Sequence, residues 1–369
     1  MTDMTATDGS AAVTRLVYDG KNGELFRLWV KVLLLTIVTF GIYRFWGRTR
    51  IRKYLWNHTS LLGSRLEYDG TGGELFRRFL MAGLVIILII LPANVAQLVG
   101  LRLWMIGLIQ GAQAIVIFFL LFVAVYAGRR YRFSRTVWRG MRGGLDGSAL
   151  SYGLRSFGYM LLWPLTLSIS LPWQLVGLWR YEINNTGFGD WEAQFEGSGR
   201  KLFTSYLTAF GIFLLGIIAA ILTDMVLGFV VHGVGLVTHG APVGIINPTI
   251  ITSVFAFAVF MASLATAWLY FATRTITYLV GNTSFGRVRF RAEIRKRDLF
   301  RLMFGNFLIA AFSLNLLSPF VAQRMVRFFC RHIEILNAQE LDALTQAAGR
   351  RERSGGEGLS QLLDTGGFA

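Results

Sequence analysis

The sequence has little of the charge with which a soluble protein covers its surface. Only 16% of its 369 residues are charged, against about 25% in typical soluble domains. By contrast, 54% are hydrophobic and the mean hydropathy is +0.50. Because several apolar runs reach the length of about 20 residues that crosses a bilayer, the sequence predicts an all-α polytopic membrane protein.

Metal ligands and thiols are also scarce. Cys330 is the single cysteine, so an intrachain disulfide is excluded. The four histidines, His58, His232, His239 and His332, show no metal-ligand spacing. His232 and His239 share one turn, but two histidines without a carboxylate or a cysteine make a poor metal site. We therefore expect no metal and no cofactor.

Catalytic motifs are absent from the sequence as well. It has no HExxH, GxSxG or Walker motif, and no GxGxxG that opens a helix after a strand. The pieces TGGELF and SGRKLF lack the ending of a phosphate loop, so turn geometry explains their glycines better. Arg331 and His332 could lower the pKa of Cys330, although packing is the favoured role of this thiol. We expect no catalytic residue and no enzymatic activity.

The charge that is present is mainly positive, with a net value of +16. In a soluble protein this excess would suggest nucleic acid. Here the cations adjoin apolar runs, as in TFGIYRFWGRTRIRKYLWNHT at 39–59, where aromatic residues alternate with them. This combination is typical of the point where a chain leaves a membrane on the cytoplasmic side. The expected partner is the lipid bilayer, with anionic lipids at its cytoplasmic face. We do not expect binding of nucleic acid.

Seven apolar segments divide the chain. They lie at about 28–46, 79–99, 103–127, 157–179, 206–230, 247–271 and 304–322. The resulting domains are a disordered tail at 1–14, a transmembrane domain at 15–332 with cytoplasmic loops 47–78, 128–156, 180–204 and 273–303, and a cytoplasmic tail at 333–369 that begins with a weakly amphipathic helix. The polar start is no signal peptide, and a bacterial inner membrane is the expected location, with both termini in the cytoplasm.

The distribution of charge predicts the topology. The turns at 100–102 and 231–246 carry almost no charge and should be periplasmic, which makes 79–127 and 206–271 two spanning hairpins. The three other segments have basic residues at both ends, and all seven cannot cross without placing a basic loop outside. They contain Pro, Gly, Ser, Thr and Asn, which a broken intramembrane helix needs. We expect 5–7 membrane segments including re-entrant helices; the alternative is three ordinary kinked spans.

Two sequence elements recur along the chain. YDGKNGELFRLW at 18–29 returns as YDGTGGELFRRF at 68–79 and more weakly as FEGSGRKLFTSY at 195–206. A preceding element with Tyr, Asn and Thr followed by alternating residues predicts short β-strands in the loops, combined into a small sheet. Its polar residues are expected to cap helix ends as repeated corners: Tyr54, Asn57, Thr59, Tyr181, Asn184, Thr186, Tyr278, Asn282 and Thr283.

The motifs YDGxxGELFxLW, TxGIYxFWxxxRxRxYxxxxT and YxGxGxELF resemble the YjgN family of bacterial inner-membrane proteins, a domain of unknown function. The resemblance covers about residues 15–330. It implies a multi-span inner-membrane protein, and it brings neither an established activity nor a catalytic residue.

Polar residues within apolar segments are the remaining candidates for function. Asp224 near one end of its segment could pair with Arg102, as a structural ion pair. Broken helices with polar neighbours build the central sites of many transporters. The candidate path residues are Thr39, Gly41, Ser168, Ser170, Pro172, Asn315, Ser318 and Pro319.

Two functions compete on this basis. A transporter or channel requires the three breaks to meet near the midplane and to line a cavity. A non-transporting scaffold or regulator would bind anionic lipid or a partner protein through its basic face, with the same polar residues satisfied internally. Whether the protein forms a homo-oligomer stays open.

Overall fold

A computed structural model describes residues 13–237 and 248–343. In this part of the chain there are ten α-helices, eleven β-strands and one short 3-10 helix. The helices are α1 Asn22–Val38, α2 Arg44–Asn57, α3 Gly72–Leu98, α4 Leu103–Ser134, α5 Ala149–Thr166, α6 Leu171–Asn184, α7 Gly199–Val237, α8 Pro248–Gly281, α9 Lys296–Phe312 and α10 Ser318–His332, and the 3-10 helix is Ala338–Ala343. The strands are β1 Val13–Arg15, β2 Val17–Tyr18, β3 Thr59–Leu61, β4 Ser64–Tyr68, β5 Thr136–Trp138, β6 Met141–Leu145, β7 Thr186–Phe188, β8 Trp191–Phe195, β9 Thr283–Phe285, β10 Val288–Ala292 and β11 Ile333–Leu336.

One structural unit occurs five times. A helix leads into a short strand, a tight turn and a longer strand, and the longer strand leads into the next helix. Four units are continuous, namely α2-β3-β4-α3, α4-β5-β6-α5, α6-β7-β8-α7 and α8-β9-β10-α9. The two ends of the chain form the fifth unit, in which α10 and β11 pair with β1, β2 and α1.

The strands form one antiparallel sheet that is closed nearly into a cylinder. Its order runs from β1 through β11, β10 and the other strands down to β2. β1 pairs with β11, β2 pairs with β3, and only Leu16 separates β1 from β2. The two edges of the sheet are therefore consecutive in the chain, which leaves almost no free edge for pairing with other chains.

The residues of each strand alternate between the inside and the outside of the cylinder. Leu66 on β4 packs in the interior, whereas its neighbours Arg65 and Glu67 are exposed. The interior is filled by side chains from all parts of the ring and from the 3-10 helix: Trp138, Met141, Ala193, Phe285, Val288, Ile335, Ala338 and Leu341, with Leu16, Leu61 and Phe290 packed against them. The cylinder is a hydrophobic core and not a pore.

All ten helices leave the same rim of this cylinder, because each hairpin turn lies at the opposite rim. Four of them, α3, α4, α7 and α8, are long and apolar enough to cross a membrane. Only 11–17% of the most apolar 18-residue window of each is buried within the protein. Such apolar exposure suits a lipid environment.

The other three apolar segments are helical hairpins rather than continuous helices. α1 with α2, α5 with α6, and α9 with α10 each consist of two helices of 14–18 residues joined by a tight turn. Both helices of each pair end at the cylinder, so the chain returns to the side from which it came. In the described structure each of these segments is a helical hairpin and not one kinked continuous helix.

The helices pack as a ring in chain order. Each helix contacts the next one, and α10 contacts α1. The two long hairpins, α3–α4 and α7–α8, are consequently separated by α5–α6 on one side and by α9–α10 and α1–α2 on the other. This order determines which helices are direct neighbours in the ring.

Three expectations need correction. The all-α class with a small sheet of loop strands is incomplete, because the structure contains an eleven-stranded sheet that is nearly closed. Val13 and Thr14, expected in a disordered tail, pair with β11; residues 1–12 of that tail lie outside the described part. The helix expected after residue 332 is instead strand β11 followed by the 3-10 helix, because Ile335 enters the cylinder core and Glu334 pairs with Arg15. The remainder of the tail, from 344 on, is outside the described residues.

Candidate functional site: three hairpin tips and a basic rim

The tips of the three re-entrant hairpins share one turn. In the first, Phe40 and Gly41 have φ values of 50° and 90°. The Thr39 hydroxyl donates to the Leu35 carbonyl over 2.7 Å and accepts the Tyr43 amide over 2.9 Å. Leu167 with Ser168 and Leu314 with Asn315 have the same left-handed backbone, and Thr166 and Ser313 make the same two hydrogen bonds as Thr39. The polar residues at these breaks thus satisfy the turn itself.

An apolar side chain projects from each tip. Phe40, Leu167 and Leu314 are 98%, 77% and 87% exposed. Pro172 and Pro319 are buried in the first turns of α6 and α10, where a helix needs no amide hydrogen. Ser170 and Ser318 lie at or beside those helix starts, and the Ser170 hydroxyl accepts a bond from Thr166.

The three tips do not form a common site. The tip at 313–317 meets α1, where the Trp29 indole nitrogen donates to the Leu316 carbonyl over 2.9 Å. Among the described residues, no hydrogen bond or aromatic contact joins the tip at 167–170 to either of the other tips. In the ring order, a long hairpin stands on each side of α5–α6. In the described part of the chain, the candidate path residues therefore lie at three separate tips.

Replacing Thr39 by valine tests the role of the tip hydroxyls. We expect Thr39→Val to lower the free energy of unfolding by about 1–2 kcal/mol, because it removes two hydrogen bonds and leaves the Tyr43 amide without its acceptor. Thr36→Val is the matched control, since that hydroxyl only donates to the Val32 carbonyl. Denaturant unfolding in lipid nanodiscs measures both variants. Equal effects of the two substitutions would contradict the assigned role.

Asp224 and Arg102 do not form the expected ion pair. Both residues are exposed, and no salt bridge between them exists in the described structure. Asp224 belongs to α7 and Arg102 precedes α4, so the two lie on spanning hairpins that α5–α6 separates.

The predicted corners lie where the first helix of a unit meets its short strand. There the hydroxyls of three tyrosines reach the start of a helix in the neighbouring unit. Tyr54 bonds to the backbone of Lys21, Tyr181 to the Ser148 carbonyl and Tyr278 to the backbone of Ser198. The hydroxyls of Thr59, Thr186 and Thr283 each donate to the carbonyl four residues earlier. These side chains join units to each other and close helix ends.

The predicted asparagine directly precedes the corner threonine in only one of the three copies. Asn282 donates to the Tyr278 carbonyl over 2.7 Å. The equivalent residues in the other copies are His58 and Asn185, and not Asn57 and Asn184. Asn184 instead accepts the amide of Phe195. The sequence-based prediction is off by one residue in these two copies, because Asn57 and Asn184 lie two residues before their threonines, whereas Asn282 lies one residue before Thr283.

Sequence reasoning missed two of the five corners. Tyr131, Arg135 and Thr136 form one, and Phe328 with His332 forms the other. A signal was available in the acidic residue that ends each long strand. Its backbone amide donates to the carbonyl of the corner residue in every unit, at 2.9–3.1 Å, for Asp19, Asp69, Asp146, Glu196 and Glu293.

A ring of cations surrounds the rim. We define the basic rim as six exposed residues in the first two turns of the helices that follow the long strands: Arg27, Arg77, Arg155, Lys201, Arg297 and Arg301. None of the six forms an ion pair with a carboxylate among the described residues. Aromatic rings lie at the same level, and the Arg155 guanidinium stands 4.5 Å from the centroid of Tyr181. Cations with aromatic rings at one depth are typical of a membrane interface.

No group of three metal-ligating side chains comes together in the described residues. His239 lies outside them. Cys330 is buried in α10, and burial raises the pKa of its thiol to about 11. The pKa is therefore raised rather than lowered, because burial disfavours the thiolate, and this agrees with the packing role favoured for the thiol.

The raised pKa predicts an unreactive thiol. At pH 8 we expect Cys330 in the folded protein to react with Ellman's reagent at least about a hundredfold more slowly than in the denatured protein, because the thiolate fraction is that much smaller. Equal rates in both states would show that the thiol is accessible and ionised.

The comparisons with known proteins identify a family without an activity. A family model described as "Bacterial protein of unknown function (DUF898)" matches residues 13–362. Neither a curated protein nor a solved structure matches the chain.

Proposed function

The chain belongs to the DUF898 family of bacterial proteins of unknown function, and we propose that it is a YjgN-type, non-transporting scaffold of the inner membrane. In this proposal the sheet cylinder lies in the cytoplasm, the two long hairpins span the bilayer, and the three re-entrant hairpins enter only the inner leaflet. The basic rim holds the cylinder against anionic headgroups. The observation that carries the proposal is the shared tip turn, in which the hydroxyls of Thr39, Thr166 and Ser313 bond to the backbone of their own turn, and Phe40, Leu167 and Leu314 project outward.

The lengths of the apolar stretches support insertion into one leaflet. In the first helix of each hairpin, the rise from the last cation to the tip residue is about 14, 18 and 20 Å, counted from Lys31, Arg155 and Arg301 at 1.5 Å per residue. On the returning helices, the rise from the tip residue to the first cation is about 6, 20 and 15 Å, counted to Arg44, Arg180 and Arg324. Arg44 therefore lies near the first tip, where its long side chain can reach the headgroups. Half of the hydrocarbon core measures about 15 Å. In α3 the stretch from Arg78 to Leu98 rises about 30 Å, the full thickness of that core.

The charge distribution supports the orientation. The basic rim and the cations of α2 and α4 adjoin the cylinder, whereas the turn at 99–102 carries only Arg102. Since cytoplasmic segments hold the excess of Lys and Arg, the cylinder and both chain ends belong in the cytoplasm.

The transporter hypothesis has less support. It required the three breaks to line one path, but they are separated in the ring and their polar groups close their own turns. The filled cylinder also stands below the helices. Single-channel currents from reconstituted protein in planar bilayers would favour transport over the scaffold.

A lipid-dependent stability measurement tests the proposed function. In nanodiscs at 0.1 M salt, we expect a higher melting temperature in phosphatidylglycerol than in phosphatidylcholine. The difference should shrink at 1 M salt, where the Debye length falls from about 10 to about 3 Å. Replacing all six basic-rim residues by glutamine should abolish it, because each cation near an anionic surface contributes about 1 kcal/mol.

The matched control removes cations from the outer face of the sheet, away from the membrane. Arg287→Gln with Arg289→Gln should leave the lipid-dependent difference in melting temperature unchanged, because both residues lie on the hairpin of β9 and β10. If the six-residue variant kept the full difference, the basic rim would have no role in holding the membrane surface.

A further inference from the structure

A second group of cations faces the inside of the helix ring. On α2, Lys53 and Asn57 line a surface pocket together with Arg65 and Glu67, the outward residues of β4. Arg48 lies five residues before Lys53, and Arg52 lies five residues before Asn57. Five residues turn an α-helix by about 140°, so each arginine points about 140° away from the corresponding pocket residue. Arg48 and Arg52 therefore lie on the side of α2 that is turned away from the outer surface.

These cations stand close to each other. Arg44, Arg48 and Arg52 follow at intervals of four residues, which aligns them on one face of the helix. Arg52 also donates to the Tyr68 hydroxyl over 3.3 Å. Like charges in this arrangement repel each other and favour a bound anion.

α4 contributes further arginines to the same place. α5 packs on Val123 and Tyr126, and Tyr131 bonds to Glu74 of α3. Arg129 and Arg132 occupy a third side of α4: Arg129 pairs with Glu182 of α6, and Arg132 interacts electrostatically with Arg52 of α2. Neither α2 nor α6 is the ring neighbour of α4, so these interactions pass across the inside of the ring.

The charges at this place are unequally compensated. Glu182 is buried and its partner is Arg129. Arg48 and Arg132 form no ion pair with any carboxylate in the described part of the chain. Arg132 is half-buried, whereas Arg48 is exposed. Two neighbouring cations without a counter-charge repel each other, and an anion bound between them would relieve that repulsion.

The wall next to these cations is apolar. Phe118, Leu121 and Val125 precede Arg129 and Arg132 at helical spacing, so all five share one face of α4. The three apolar residues are exposed, because they face away from α3 and α5, the two helices next to α4 in the ring. A ligand for this place needs a negative head for the arginines and a hydrocarbon part for the wall.

We propose that the inside of the helix ring holds an anionic phospholipid, with its phosphate bound by Arg48, Arg52 and Arg132 and its acyl chains along Phe118, Leu121 and Val125. The proposal rests on the membrane location of the proposed function but not on the basic rim. The rim attracts the leaflet through screened charge, whereas this site binds a single lipid by its phosphate and its chains.

Lipid retention in detergent tests the site. Native mass spectrometry of the purified full chain, exchanged into neutral detergent and supplied with phosphatidylglycerol, should show a retained lipid. Phosphatidylcholine should be retained at least tenfold less. The double variant Arg48→Gln, Arg132→Gln should lose phosphatidylglycerol at least tenfold, while Arg48→Lys, Arg132→Lys should keep part of it.

Two further comparisons distinguish a lipid phosphate from a soluble phosphate, and the internal lipid site from exposed cations elsewhere. Glycerol phosphate, which carries the phosphate without chains, should not bind; if it bound as tightly as the lipid, the site would be one for a soluble phosphate. Arg287→Gln with Arg289→Gln on the outer face of the sheet should leave retention unchanged. Absence of retained lipid from the wild-type protein, or equal retention by the Arg48, Arg132 glutamine variant, would overturn the proposal, whatever the nanodisc experiment shows for the rim.

Discussion

Replacing Ile335 by aspartate is expected to prevent stable folding of the cylinder. Ile335 is 3% exposed and lies on β11, where it touches the core shared by all five units. An aspartate there would bury a carboxylate without a partner, which costs about 4 kcal/mol or more. We expect the variant to give aggregated protein on size-exclusion chromatography in detergent, or a melting temperature lower by more than 10 °C (about 2–4 °C per kcal/mol).

The matched control is an aspartate on the outer face of the same sheet. Val17 on β2 is 60% exposed, so Val17→Asp should change the free energy of unfolding by no more than about 0.5 kcal/mol. If the two variants behaved alike, the C-terminal segment would not complete the cylinder, and the five-unit account of the fold would be wrong.

A charge at a hairpin tip is expected to destabilise the protein only in a bilayer. Val38 ends α1 beside the first tip and is 72% exposed, so Val38→Arg removes few contacts within the protein. If the tip lies in hydrocarbon, the arginine costs about 2–3 kcal/mol. Its position at a helix C-terminus would by itself favour a cation, so a loss reports on the surrounding lipid.

The control for this prediction is Val17→Arg, which places the same charge on the water-exposed sheet and should leave the stability unchanged. Denaturant unfolding in nanodiscs compares both variants with the wild type. If Val38→Arg lowered the free energy of unfolding no more than Val17→Arg does, the tip would lie in water and the re-entrant hairpins would stand outside the bilayer.

The sequence was sufficient for the membrane class and for much of the helix layout. The long apolar runs and the turns at 100–102 and 231–246, which carry almost no charge, predicted the two long hairpins. Basic residues at both ends of 28–46, 157–179 and 304–322 indicated that these segments return on one side. Both inferences depend on the cost of charge in hydrocarbon, which acts on the composition of a segment and needs no tertiary contact.

The closed sheet could not be predicted in the same way. Its fifth unit combines β1 and β2 with β11, which lie more than 300 residues apart, and pairing across that distance leaves no local pattern. HIEIL fits a helix as well as a strand when read alone, because a short apolar run has no decisive period. Only the core formed with the other units decides that Ile335 points inward.

The hairpin tips show how one pattern serves two structures. A broken helix at a substrate site and a tight helical turn both need small or hydroxyl-bearing residues. Thr39 and Gly41 satisfy either requirement in sequence. The hydrogen bonds of the Thr39 hydroxyl within its own turn distinguish them, and those bonds depend on geometry that the sequence does not display.

The most direct test of the account is side-selective labelling of the tips in intact cells. In a Cys330→Ser background, single cysteines would replace Gly100, Phe40, Leu167, Leu314 and Arg65. With an impermeant maleimide, we expect only position 100 to react in intact cells, and position 65 to react after permeabilisation. The three tip positions should react in neither case, because they lie within the inner leaflet. Labelling of a tip together with position 100 would show that its hairpin crosses the membrane, and would contradict the account.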